Sequence, residues 1–217
     1  MEARYNGENF VMKGLTIVYQ IMVLNILFII FSVPMFTIGA SLKALTGSVR
    51  DLLQGDLNYE FKTFFYYFKS DFKKTTLTFL LLALGYFITL YNFINVIALA
   101  KVGWLLAIIQ IPVLVQLLFI HFMINYIHLE FDLKLFKSIK VAWILGNRNM
   151  LKIIGSIGIS YLLLKLGLRI PLILIFFYVP LMAIITYYFC YPTINSVKGE
   201  QASWYMVILT TTRKNIL

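Results

Sequence analysis

The stretch TTLTFLLLALGYFITLYNFINVIALA, residues 75–100, contains no Asp, Glu, Lys or Arg. It is longer than the ~20 residues a helix needs to cross ~30 Å of hydrocarbon. Three more charge-free gaps lie between Lys13 and Lys43, between Lys101 and Glu130, and between Arg169 and Lys198. The whole chain of 217 residues is 61% hydrophobic and 13% charged, with a mean hydropathy of +0.86. A soluble domain carries about 25% charged residues. The bilayer is therefore the expected solvent. In lipid the backbone must bond to itself, which makes helices the expected element.

A fifth span is weaker. Residues 150–168, MLKIIGSIGISYLLLKLGL, carry Lys152 and Lys165 near opposite ends. Both lysines can reach the two interfaces along their apolar stems. The expected fold is all-α: one polytopic membrane domain over residues 1–217. Its about five spans lie near 15–34, 76–98, 103–128, 150–168 and 171–191. The single cysteine, Cys190, allows no internal disulfide and is expected to pack. The apolar run after the N-terminal residues is too long for a signal peptide, so the first helix is read as retained.

These spans sort the 19 Lys and Arg into six extramembrane segments. Alternate segments share a side, and fourteen of the cations fall on one of them. The positive-inside rule makes that side cytoplasmic, with the N-terminus outside and the C-terminus inside a bacterial cell membrane. Outside remain the N-terminal residues and two tight turns, ALAKVG and KLGLRIP.

Immediately before residues 75–100 stands YEFKTFFYYFKSDFKK, residues 59–74, with eight aromatics and four lysines in sixteen positions. Phe61, Phe64, Phe65, Phe68 and Phe72 recur at spacings of three and four, which makes one stripe on a helix. Lys62, Lys69 and Lys73 lie mostly off it. Such a helix suits the headgroup plane, where lysines meet anionic lipid. The stripe, with Lys69 and Lys73, is the candidate lipid or partner interface. A second amphipathic segment, residues 131–149, places Leu133, Phe136, Ile139, Trp143 and Ile144 at helical spacing against Lys134, Lys137 and Lys140. Together, residues 38–74 and 131–149 are the expected cytoplasmic interfacial segments. Each basic segment precedes an apolar hairpin, so the units 59–128 and 131–192 suggest a same-orientation repeat.

Pro34 is expected to stop or kink the first helix. After it, Thr37, Gly39, Ala40, Ser41, Ala44 and Gly47 are small, which permits close helix approach. A helix near 38–54 is expected along the membrane surface or beneath the bundle, ending near Gly55.

Asn25-Ile26-Leu27-Phe28, SVPMFTIGASLKAL, FFYYFKSDFKKT and EFDLKLFKSIKVAWILGNRN together resemble the YesL-like bacterial membrane proteins, a family of unknown function. The resemblance covers essentially the whole chain. It implies an accessory role in carbohydrate uptake, because members of that family are often encoded beside sugar-importing ABC transporters. It supplies no catalytic residues.

Polar groups at membrane depth are costly, which makes them functional candidates. His121, Asn125, His128 and Asp132 step by four, three and four and share a helix face. Such a stripe suits proton relay or a metal. However, His121 and His128 stand two turns apart, roughly 10 Å, too far for one ion without other ligands. The alternative is satisfied polar packing at a helix end. Asn92, Asn95 and Gln116 complete the candidate intramembrane set. No phosphate-binding Gly-rich loop, Gly-x-Ser-x-Gly or His-Glu-x-x-His occurs. No catalytic set, metal or cofactor is expected, and the lysines are read as serving lipid and orientation rather than nucleic acid.

Three functional readings follow. The first is a non-enzymatic accessory or regulatory protein packed against ABC importer permease subunits, or against itself. The second is a small oligomeric transporter or channel, in which Asn92, Asn95, Gln116 and His121 converge on a wet cavity. The third is an intramembrane enzyme using the His121–His128 stripe, which requires polar groups from other helices nearby.

Overall fold

The computed structural model describes residues 10–57, 59–97 and 103–199, and these residues contain no strand. The expected outer turn at Lys101 and the basic tail residues Arg213 and Lys214 lie outside the described residues. The elements are α1 (Phe10–Ser32), a 3-10 turn (Met35–Thr37), α2 (Ile38–Gln54), α3 (Glu60–Lys69), α4 (Phe72–Ile97), α5 (Gly103–Glu130), α6 (Leu135–Arg148), α7 (Met150–Arg169) and α8 (Pro171–Gly199). Five of them, α1, α4, α5, α7 and α8, contain stretches long and apolar enough to cross a membrane. The protein is an all-α, multi-pass membrane protein. The order short helix, long helix, long helix occurs twice, as α3–α4–α5 and α6–α7–α8.

Pro34 ends α1 as its ring requires. It caps the 3-10 turn, and the Thr37 hydroxyl donates to the carbonyls of Phe31 and Pro34. Gly55 closes α2 in the left-handed region at φ 82°. This conformation suits glycine, and the amide bonds back to the Asp51 and Leu52 carbonyls. Pro192 does not end α8, which runs on to Gly199. Beyond it, Ile194 is buried and the Thr193 hydroxyl donates to Asn149 Oδ1 at 2.9 Å.

The small-residue helix α2 is the hub. It packs against α1, α3, α4, α5 and α8, and ten of its residues are buried, from Gly39 to Val49. Gly47 is what admits its neighbours. A Cβ there would stand 2.7 Å from the Tyr67 ring and 2.9 Å from Leu129.

Of the two amphipathic helices, α3 turns most of its aromatic stripe inward, whereas α6 buries a different face from the one its largest side chains suggest. In α3, Phe64 is 0% exposed. The Phe31 ring of α1 packs at a tilt against Phe64, Phe65 and Phe68, with centroids 5.6, 6.0 and 4.9 Å apart. Three of the seven candidate interface residues thus form a seam with α1. Phe64 is closed to lipid and partner alike, Phe65, Phe68 and Phe72 are half-buried, and Phe61, Lys69 and Lys73 stay exposed. In α6, the buried face is Ser138, Val141, Ala142, Leu145 and Gly146, whereas Phe136 is 80% exposed and Trp143 is also outside. The reason is proximity. A Cβ at Gly146 would meet Phe119 Cβ at 2.9 Å and its carbonyl oxygen at 3.2 Å, so small residues make the seam with α5.

Candidate functional site

Where α2, the α3–α4 elbow and the end of α5 meet, two cations are held inside the fold. Lys43 is 2% exposed. A buried ammonium without partners would be too costly to keep. Its Nζ donates to the Ser70 carbonyl at 2.8 Å, to Ser70 Oγ at 3.0 Å and to Asp71 Oδ2 at 3.5 Å. Asp71 adopts φ 55°, a left-handed conformation that Asp tolerates better than most residues. Lys74 stands 3.1 Å from the same carboxylate and 3.4 Å from Asp132. Burial holds the Lys43 pKa below the usual lysine value, partly offset by Asp71. Burial works against the Asp71 carboxylate too, but Lys74 and Lys43 outweigh it and lower the Asp71 pKa.

Arg50 is one helical stretch further along α2. Its guanidinium donates to Asp51 Oδ1 at 3.1 and 3.0 Å, to Tyr67 Oη at 2.7 Å and to Glu130. Tyr67 Oη in turn donates to Asp51 Oδ2 at 2.8 Å. Burial opposes the Arg50 charge, but Tyr67, Asp51 and Glu130 prevail and raise its pKa. Burial and the Asp51 hydrogen bond push the Tyr67 hydroxyl up to about 12. Planar, five-donor arginine suits this fork in a way lysine would not.

These contacts surround an open cleft of about 320 Å³ lined by Lys43, Tyr66, Ser70, Asp71, Asp132 and His128, among others. His128 is 3% exposed, and neither ring nitrogen has a hydrogen-bond partner among the described residues. Behind it is a cavity of about 10 Å³ that His128 shares with Asn125, His121, Thr75 and Thr78. A third space, of about 120 Å³, is lined by His121, Asn125, Thr46, Tyr126 and Thr186, between α2, α5 and α8. The predicted face of α5 therefore does gather polar groups from α2, α4 and α8.

The other candidates do not join it. Gln116 and Asn147 of α6 form a reciprocal amide pair at 3.0 and 2.8 Å. Asn95 is exposed and donates to the Tyr91 carbonyl of its own helix at 2.8 Å. Asn92 is exposed on α4. Asp132 lies past the end of α5 and is exposed beside Lys74. No three His, Cys, Asp or Glu residues among the described ones are grouped to hold a metal.

Sequence reasoning missed Lys43, Arg50, Asp51, Tyr67, Ser70, Asp71 and Glu130 as one network. A signal was present. Lys43 sits among Ser41, Ala44 and Gly47, residues chosen for close packing, and a lysine in such a segment needs internal partners.

Residues 21–93 match the model of a family described as a protein of unknown function, DUF624, the family to which YesL-like proteins belong. The matched segment runs from α1 into α4 and carries Lys43, Arg50, Asp51, Tyr67, Ser70 and Asp71, but not the polar face of α5. No curated protein and no solved structure matches the chain.

Proposed function

We propose that this chain is a non-enzymatic accessory or regulatory subunit in a bacterial cell membrane, which works by packing against another membrane protein. The resemblance to YesL-like proteins makes a carbohydrate ABC importer permease the first partner to test. The observation that carries this reading is how the charges at the basic end are used. Lys43, Arg50, Asp51, Asp71 and Glu130 bind one another, the elbow backbone and Tyr67 of α3, which ties α3 and its elbow to α2. That leaves Tyr59, Phe61 and Tyr66 exposed beside Lys62 and Lys69 on a fixed platform. Large aromatic residues on a rigid support are what a stable interface uses as anchors. The basic end is cytoplasmic under this reading.

The test is site-specific photocrosslinking in native membranes, with a benzophenone side chain at Phe61 or Tyr66 and, as a control, at buried Phe64. Crosslinks to a permease subunit from Phe61 and Tyr66 but not from Phe64 support the reading. Crosslinks to lipid alone from Phe61 and Tyr66 contradict it.

The gathered polar face of α5 favours a second reading, transport. Size decides against polar solutes within one chain. The cavity of about 10 Å³ between the two larger spaces is at the ~10–15 Å³ threshold for a single water.

A further inference from the structure

The same numbers that exclude a solute suit a proton. We propose that the polar face of α5 is a proton path, running from the open cleft through His128 and Asn125 to half-buried His121, two turns further along the helix.

Three observations converge on it. The three spaces adjoin one another at shared lining residues: His128 lines the cleft and the small cavity, whereas Asn125 and His121 line the small cavity and the inner space. The volumes run from about 320 to about 10 to about 120 Å³, so the neck admits one water and the ends admit several. His128, nine-tenths buried and more, has two ring nitrogens with no partner among the described residues, and it stands where the cleft meets the neck.

The chemistry needs no further reagent. Neutral imidazole accepts a proton at one nitrogen and releases one from the other. A proton taken from cleft water by His128 is thus matched by one passed to water in the neck, and His128 ends neutral in its other tautomer. Thr75 and Thr78 donate their own protons to the Asp71 and Lys74 carbonyls at 3.1 and 2.8 Å. Their oxygen lone pairs remain to orient that water. Asn125 offers an acceptor oxygen and donor amide beside them, and His121, roughly 10 Å along the axis, is the receiving group. At the mouth, Lys43 and Lys74 face Asp71, with Glu130 and Asp132 at the end of α5 and Tyr66 and Tyr67 on α3. Each cation there is paired to a carboxylate, so the mouth presents no net barrier of one sign.

The chain has two histidines, which makes the experiment direct. The full chain, labelled with ring ¹⁵N histidine and placed in lipid nanodiscs, is studied by NMR for exchange of ring N–H protons with water. Both imidazoles should exchange in the wild-type chain. Asn125→Leu and Thr78→Leu, which fill the neck, should slow exchange at His121 at least tenfold while leaving His128 unchanged. Absence of exchange at His121 in the wild type overturns the proposal and requires no variant. Equal His121 rates in wild type and in the folded variants overturn it as well.

Discussion

Lys43 Nζ reaches across 27 residues of sequence to the Ser70 carbonyl, 2.8 Å away, and ties the hub helix to the elbow that starts α4. Lys43→Met keeps the stem and removes the charge. Losing one side of a buried pair costs about 3–5 kcal/mol in a closed interior. Here Asp71 keeps Lys74 at 3.1 Å and is partly exposed, so the expected loss is about 1–3 kcal/mol. Equilibrium unfolding in mixed micelles measures it; an unchanged or raised stability would show that the Lys43 contacts do not hold α2 to the elbow.

Asp71 also sets an acid limit. Its pKa is lowered below 3.8 in the fold. A depressed carboxylate contributes stability that is present above its unfolded pKa and is lost as pH falls through the folded one. Stability should therefore decline below pH 3.8, and Asp71→Asn should flatten that part of the profile.

Tyr67 acts at the other end of the scale. Its hydroxyl keeps its proton up to about 12, against 10.0 unfolded. A raised pKa means the contribution is complete below the unfolded value and is lost as pH climbs to the folded one. Unfolding followed from pH 10 to about 12 should show falling stability in the wild-type chain and a shallower fall in Tyr67→Phe.

Helix seams made by glycine give a paired comparison. Gly146→Ala drives a methyl against the Phe119 backbone, whereas Gly158 has open space within 4 Å. Overpacking of the first kind costs about 1–3 kcal/mol. Gly158→Ala should be neutral or stabilise by up to about 1 kcal/mol through helix propensity. Similar losses at both positions would mean that α6 does not approach α5 as described.

The Gln116–Asn147 pair distinguishes packing from pore lining. A double-mutant cycle with Gln116→Leu and Asn147→Leu should return a coupling of about 0.5–1.5 kcal/mol in stability. A coupling near zero would show that the two amides act independently.

How far the sequence could be read depends on the force involved. Charge-free stretches located four of the five spans, and the fifth, 150–168, was read from an apolar middle between Lys152 and Lys165, because the cost of burying charge in lipid is large and acts on single residues. Pro34 and Gly55 located the ends of α1 and α2, because their backbone constraints are local. The face of α5 was legible for the same reason: His121, Asn125 and His128 stand out on an apolar helix. The stripe that α3 turns inward was legible from apolar spacing, as buried Phe64 shows, but the face that α6 buries was not. Inside a bundle surrounded by lipid, large apolar side chains gain little by turning inward, and at α6 close approach at Gly146 decides instead. Gln116 and Asn95 read as cavity residues because a sequence does not reveal that Asn147 and the Tyr91 carbonyl already satisfy them. The Lys43 and Arg50 network needed partners 27 and 80 residues away, and pairing at that range leaves no local pattern.

The proposed function is binding to another membrane protein. The most direct measurement is purification of the tagged chain from its native membrane in mild detergent, with quantitative mass spectrometry of what stays attached. The expected result is ABC importer permease subunits in stoichiometric amount, lost on Phe61→Glu together with Tyr66→Glu. Recovery of the chain alone, from membranes that contain the permease, would contradict it.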